Sequence, residues 1–235
     1  VLLAAAVCAA VVLFSGCGAS VQVQQLTIPG ERGSIHATLT TPANAENMPA
    51  VVICHGFTGN RQLDGHAKPL AKTLAQHGIA SIAIDFAGSG ESEEPFTAYT
   101  PATMRDDITS AITYLTDTVG ADPERIGLLG HSMGSFYARQ YLCEWGDELD
   151  GAIIMGTGFQ PKALVQFAKT LCRVLAVFHG WQYRSKFVAN MSFMGYNKGL
   201  EGRTTHDWLN RDQAEVDKYL ADERRTFTFT LNAYY

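Results

Sequence analysis

Ser132 stands in the run Gly130-His131-Ser132-Met133-Gly134, with a glycine two residues away on either side. This is the G-x-S-x-G spacing of a nucleophile elbow. A serine hydroxyl is a weak nucleophile until a sharp turn exposes it and neighbouring groups activate it. In such a turn the flanking positions must lack side chains, because a Cβ there would collide across the bend. The chemistry this permits is attack on an acyl carbonyl, which creates a tetrahedral oxyanion to be stabilised. Five residues alone would be weak evidence. Here they follow the apolar segment 124–130, read as a buried strand, and precede segment 135–143, read as a helix. The N–H groups at the start of that helix would point at any anion forming beside Ser132.

A second segment supplies what an oxyanion needs. His55-Gly56-Phe57-Thr58-Gly59 directly follows the apolar run 49–54. One donor is expected from the N–H of Met133, the residue after the nucleophile. The other is expected from the loop after an earlier strand, at the N–H of Phe57. Losing one such donor typically costs about 3 kcal/mol of transition-state stabilisation.

A base and an acid are harder to place. Asp85 closes an apolar strand in "DFAGSG" and is read as a loop organiser. His131 adjoins the nucleophile but should point beneath the elbow, and His55 is read as a brace for its own loop. After Ser132 come Asp147, Asp150, Asp207, Asp212, Asp217 and Asp222, with His179 and His206. None of them follows a buried strand. Asp147 and Asp150 flank the entry side of the next strand, and His206-Asp207 sits in a polar loop suited to solvation or helix capping.

These groups need a scaffold. Segments 21–29 and 34–42 alternate apolar and polar residues around Gly30-Glu31-Arg32-Gly33, which predicts a β-hairpin with one wet face. Continuous apolar runs at 49–54, 79–86, 124–130 and 150–156 read as strands buried on both faces. Helical patterns separate them near 66–77, from Pro101 through Ile108, Ala111, Ile112, Leu115 and Val119, and over 135–143. Strands alternating with helices predict an α/β fold: a doubly wound, mostly parallel sheet with an antiparallel hairpin at one edge. Chemistry in such sheets gathers at the carboxyl ends of the strands, which is where Ser132 falls. Beyond Gly158 the pattern changes to a long amphipathic helix at 161–181, aromatic loops and a polar helix at 212–222. The expected domains are 21–158 as the α/β core and 159–235 as a helical insertion over the sheet.

"HGFTG", "DFAGSGES" and "GHSMG", in that order and spacing, resemble the α/β-hydrolase family. The nearest branches are the monoacylglycerol lipases, lysophospholipases and cinnamoyl or feruloyl esterases, grouped as serine aminopeptidase-like. The resemblance covers residues 30–158 well. The segment 196–222 is also similar to the cap of bacterial lysophospholipase-like members. It implies Ser132 as nucleophile, the backbone N–H groups of Phe57 and Met133 as oxyanion hole, and no cofactor. The family order is serine, acid, then histidine, each after a later strand. The acid and base are therefore expected beyond Tyr235, with the sequence clipped at both ends and one edge of its sheet left unpaired. The implied reaction is two-step ester hydrolysis through an acyl-enzyme. The favoured substrate is a lipid ester such as a monoacylglycerol or lysophospholipid. The alternatives are soluble aryl esters, a non-catalytic surface-anchored ligand-binding protein of the same fold, and a peptidase or other acyl transferase.

The bulk properties bound the partners. The 235 residues are 46% hydrophobic and 17% charged, enough for one globular domain, and a net charge of −5 gives no electrostatic case for nucleic acid. Residues 1–14 form an uncharged apolar run followed by Ser15-Gly16-Cys17. That pattern is a secretory signal with a small-residue cleavage site. "FSGC" resembles a bacterial lipobox, in which Cys17 would be lipidated and tether the protein outside the cytoplasm. Ordinary secretion and a buried helix are the alternatives. A membrane is thus an expected partner, through Cys17 or through the cap, whose Phe167, Leu171, Val174, Phe178 and Trp181 lie among Lys and Arg. Cys54, Cys143 and Cys172 fit no metal-binding spacing. Cys54 reads as a buried free thiol, and a Cys143–Cys172 bridge is possible in an exported chain.

Overall fold

The computed structural model describes residues 20–43, 46–222, 225 and 227–235. The signal-like segment and Cys17 lie outside them. The described chain divides into two compact units, split between Thr157 and Gly158.

In the first unit the hairpin forms as its alternation predicts. Strand β1 (Val21–Gly30) pairs antiparallel with β2 (Gly33–Pro42), in a register that closes on Gly30 opposite Gly33. On β2 the alternate residues Ile35, Ala37 and Leu39 are buried. The other strands are β3 (Met48–Cys54), β4 (Ala80–Ile84), β5 (Ala121–His131) and β6 (Gly151–Met155). They complete a sheet of order β1-β2-β4-β3-β5-β6. β2 meets β4 antiparallel, and β4, β3, β5 and β6 run parallel.

Helices cover both faces of this sheet. Helix α1 (Ala67–Gln76) crosses from β3 to β4, α2 (Pro101–Asp117) from β4 to β5, and α3 (Met133–Trp145) from β5 to β6. Helix α2 begins where Pro101 follows Thr100, because Thr100 and Thr103 form a reciprocal capping box. Its Met104, Ile108, Ala111 and Leu115 recur at helical spacing and are buried with Val52, Ile82, Ile84, Ile126 and Leu128 of the sheet. Full burial of each such Ile or Leu stabilises by about 1.5–3 kcal/mol. Ile53, Ala83 and Leu129 form a smaller cluster with Leu63 and Leu70, next to α1.

Two expectations need correction. Segment 150–156 is not buried on both faces: β6 pairs only with β5 among the described residues, and Ile153, Ile154 and Met155 are exposed. It is an edge strand, so its side chains lack the neighbours that cover β3, β4 and β5. Helix α3 also starts earlier than residue 135, because Ser132 itself is its N-cap.

The second unit is helical. It contains α4 (Lys162–His179), α5 (Lys186–Ser192), α6 (Gln213–Ala221) and α7 (Leu231–Tyr234). Cys172, Val188 and Leu231 form its small buried cluster, with Leu171, Leu175 and Tyr234 packed against them. Much of its apolar surface stays uncovered, including Phe167, Val174, Val177 and Phe178 on α4. No helix among the described residues is long and apolar enough to cross a membrane. Cys54, Cys143 and Cys172 are free thiols, with Cys54 and Cys172 buried and Cys143 exposed.

Candidate active site

The parallel register sets Cys54 of β3 opposite Gly130 of β5. The loops leaving these two strands therefore emerge side by side at the carboxyl edge of the sheet. Ser132 sits at the exit of β5 with φ 54° and ψ −120°, a conformation that L-residues rarely adopt. Such strain costs about 1–3 kcal/mol and persists only where surroundings enforce it. Here they do. The Ser132 N–H donates to Met155 O on β6 at 2.9 Å, and Ser135 N–H donates back to Ser132 O at 3.0 Å. The Ser135 hydroxyl donates to the same carbonyl.

Close packing explains the small residues. A Cβ on Gly134 would lie 2.5 Å from His55 O and 2.6 Å from Cys54 O, so the first turn of α3 rests directly on the end of β3. A Cβ on Gly130 would lie 2.4 Å from Gly134 O. Held this way, Ser132 is exposed to solvent, and among the described residues its Oγ has no hydrogen-bond partner. Met133 is the first helical residue of α3, so its N–H belongs to the amides that have no acceptor inside the helix.

The loop at 55–59 lies against Ser132. A Cβ on Gly56 would lie 2.9 Å from Ser132 Cβ and 3.3 Å from its Oγ. The loop is a tight turn in which Gly59 N–H donates to Gly56 O at 3.1 Å, and Thr58 takes φ 55°. Phe57, the expected second oxyanion donor, follows Gly56 in this turn.

His55 holds this turn from below. It is 1% exposed. Its Nε2 faces Phe86 N–H at 3.2 Å and must accept there, so the proton is on Nδ1, which donates to Gly56 O at 2.7 Å. Burial lowers its pKa, against opposing effects of the Gly56 carbonyl and Asp85. Ser89 Oγ lies 3.0 Å from His55 Nε2, but its hydroxyl donates to Phe86 O at 2.9 Å, and that Nε2 lone pair already accepts the Phe86 N–H. His55 is a neutral brace. His131 is half-buried, and burial lowers its pKa too.

Asp85 ties two loops together. Its side chain is fully buried and accepts from Arg61 N–H at 2.6 Å and Glu91 N–H at 3.0 Å. It also pairs with the Arg61 guanidinium, which reaches Glu91 at 2.5 Å. Its oxygens are spent on backbone and Arg61, so it organises loops and cannot serve as a triad acid. Sequence reading identified that role but not the partner, which lies 24 residues away and carries no local signal. A second clamp went unread. Arg32 in the hairpin turn binds Asp106 and Asp107 at 2.9 and 2.7 Å, and Glu94 at 3.2 Å. Asp107 in turn accepts Ala87 N–H at 2.8 Å. Burial pushes the Asp107 carboxyl up to about 6 despite Arg32 and that amide. The dipeptide Asp106-Asp107 inside an otherwise amphipathic helix was the available clue.

Within the first unit, neither Asp147 nor Asp150 is hydrogen-bonded to Ser132 among the described residues. Asp150 N–H donates to Ile126 O in β5 at 2.8 Å, just ahead of β6. In the second unit Asp207 accepts from Thr204 N–H and its hydroxyl, His206 stacks near Trp208, and His179 stacks on Tyr183. No group of His, Cys, Asp or Glu among the described residues could hold a metal ion.

Known proteins share this architecture. A family profile described as serine aminopeptidase, S33, matches residues 45–235. The chain is 33% identical over 100 residues to an uncharacterized 31.7 kDa protein in the traX-finO intergenic region of Escherichia coli, covering 43% of this chain and 34% of that protein. It is 36% identical over 88 residues to thiohydrolase aneE of Aspergillus aculeatus, covering 37% and 27%. The aligned stretch thus spans about a third or less of these curated relatives. Among solved structures, a thermostable carboxyl esterase from Bacillus coagulans in complex with glycerol superposes with TM-score 0.66 at 21% identity, over 90% of this chain and 69% of that one. Est1E from Butyrivibrio proteoclasticus with ferulic acid bound gives TM-score 0.52 at 25% identity, over 62% and 56%.

Proposed function

Because the chain belongs to the serine aminopeptidase S33 family of α/β-hydrolases, we propose that it hydrolyses carboxylic esters with Ser132 as nucleophile. The observation that carries this reading is the enforced φ of 54° at Ser132, which presents a solvent-exposed hydroxyl beside the Gly56 turn. Strain of this kind is retained where it serves a function. Ser132 Oγ would attack the ester carbonyl carbon as its proton passes to a base. The carbonyl oxygen becomes an oxyanion held by the N–H groups of Met133 and Phe57. Collapse expels the alcohol, which takes the proton, and water then releases the acid from the acyl-enzyme by the same steps. A histidine and a carboxylate would manage the proton.

Two acyl classes have support. The exposed apolar face of α4, with Phe167, Val174, Val177 and Phe178, favours a lipid ester such as a monoacylglycerol or lysophospholipid. The likeness to Est1E, which binds ferulic acid, favours an aryl ester. For location, we read Cys17 as a lipidated mature terminus that anchors the enzyme outside the cytoplasm. Incorporation of a labelled fatty acid that disappears in Cys17→Ala supports this, and incorporation that persists overturns it.

The catalytic reading is tested on the full-length protein with a fluorophosphonate probe and p-nitrophenyl esters. Ser132 should carry the probe by peptide mapping, and Ser132→Ala should lose labelling and at least a thousandfold in kcat/KM. Turnover that survives in Ser132→Ala sinks the assignment.

A further inference from the structure

Three aromatic rings cluster in the first unit, on the loops that leave the carboxyl ends of β3 and β4. Phe57 follows Gly56, whose Cβ position lies 3.3 Å from Ser132 Oγ. The Phe57 ring packs edge-on against Phe96 at 5.4 Å and against Tyr99 at 5.7 Å. Phe96 and Tyr99 are stacked, 5.7 Å apart and 14° from parallel. Phe57 and Tyr99 are half-buried, whereas Phe96 is 52% exposed. An aromatic ring left open to water beside two others is more than the core requires, since α2 and the sheet already bury their own apolar residues.

The cluster is also rigid. Residues 96–98 form a helical turn closed by Ala98 N–H to Pro95 O at 2.8 Å and Tyr99 N–H to Phe96 O at 3.1 Å. Gly88 passes so close that a Cβ there would lie 2.6 Å from Pro95 O. Thr103 of α2 donates its hydroxyl to Ala98 O at 2.5 Å, and Asp107 holds Ala87 N–H. Tyr99 lies over His55 at 6.2 Å and edge-on to Phe86. Its phenol oxygen is buried, with no partner among the described residues, and burial raises its pKa. Tyr99 therefore serves as an apolar backing ring, not as a hydrogen-bond donor to substrate.

We propose that Phe57, Phe96 and Tyr99 form the acyl-selecting wall of the Ser132 site, with Phe96 as the substrate-contacting ring, and that it takes planar aromatic acyl groups ahead of saturated ones of equal size. This rests on the esterase reading and chooses between its two acyl classes. The apolar face of α4 belongs to the other unit, whereas the wall shares the first unit with the serine and its Phe57 follows the glycine that touches Ser132. Ring–ring contacts reward a planar acyl group beyond the area it buries. A fixed ring surface also gains them without the ordering cost that flexible side chains incur.

The test uses p-nitrophenyl benzoate and p-nitrophenyl cyclohexanecarboxylate, which match in size and leaving group and differ in aromaticity. The full-length parent should favour the benzoate in kcat/KM, and Phe96→Leu should shrink that preference by about two- to tenfold. Thermal melting of Phe96→Leu confirms folding, and Phe96→Tyr, which keeps the ring, should keep the preference. Equal loss on both esters would make Phe96 a positioning residue and overturn the proposal, as would a parent that prefers the saturated ester or an unchanged ratio. A parent that neither labels with fluorophosphonate nor turns over either ester instead overturns the esterase reading beneath it.

Discussion

Gly56 and Ser132 are in contact across two loops: the Cβ that Gly56 lacks would lie 2.9 Å from the Cβ of Ser132 and 3.3 Å from its hydroxyl. The absent methyl group thus sets how near the turn that carries Phe57 can come to the serine. Gly56→Ala must push one loop off the other by several tenths of an ångström. Catalytic geometry tolerates little of that, and a misplacement near 1 Å costs about a hundredfold. The expected result is a loss of about ten- to a hundredfold in kcat with KM little changed, read from p-nitrophenyl ester kinetics. Unchanged kcat would mean that the two loops do not act together.

Ser132 is strained where glycine would not be. Ser132→Gly should relieve that strain, offset in part by the greater freedom of glycine in the unfolded chain. The expected net gain is about 1 kcal/mol relative to Ser132→Ala, which keeps the strain and also lacks the hydroxyl. Both variants should be inactive. Urea unfolding of the pair provides the comparison, and equal stabilities would limit the strain at the elbow to the entropy that glycine loses on folding.

Stability should depend on pH through the buried rings. Burial lowers the pKa of both His55 and His131 in the folded chain. In the unfolded chain each titrates near about 6.5. Above that pH neither state binds the proton, and stability is unaffected. Below it the unfolded chain takes up protons that the folded chain resists, so stability falls as pH drops from about 6.5 toward the folded values. The slope is at most about 1.4 kcal/mol per pH unit for each ring. Asp107 opposes this, because a folded pKa of about 6 makes the folded state take the proton first and gain stability as pH falls through that value. His55→Gln can keep hydrogen bonds to Gly56 and Phe86 but cannot titrate. Its unfolding free energy should fall less steeply between pH 6.5 and 5 than that of the parent, and identical slopes would contradict the buried neutral imidazole.

What the sequence made legible follows from how local each signal is. The hairpin, the buried strands and α2 are written in alternation, apolar runs and a Thr-Pro start, each contained within a few residues. The contact between Gly56 and Ser132 was partly legible because glycine marks close approach and both loops follow buried strands. Asp85 with Arg61, and Arg32 with Asp107, were not, since an ion pair between loops leaves no periodicity behind. An open sheet edge was expected, whereas "GAIIM" reads as buried on both faces because it has the composition of a central strand, and composition does not reveal how many neighbours a strand has.

The Asp85–Arg61 pair allows the sharpest energetic test. Both side chains are shielded, with 0% and 11% exposure. Charges so placed repay their desolvation only through good geometry and extra hydrogen bonds. Asp85 has both, because it also accepts the N–H groups of Arg61 and Glu91. Removing the carboxylate strands a guanidinium and two amides, so Asp85→Ala should cost about 3–5 kcal/mol. Removing only the guanidinium leaves Asp85 with its two amide donors and its charge partly satisfied, so Arg61→Met should cost less. The double variant should then be less destabilised than the sum of the singles, with a coupling of about 1–3 kcal/mol by urea unfolding. Because Arg61 closes the loop that begins at His55, Arg61→Met should also lower kcat on p-nitrophenyl esters through a looser Phe57 turn. Strict additivity in the cycle would show that the two charges do not stabilise one another, and that the backbone amides alone fix the position of Asp85.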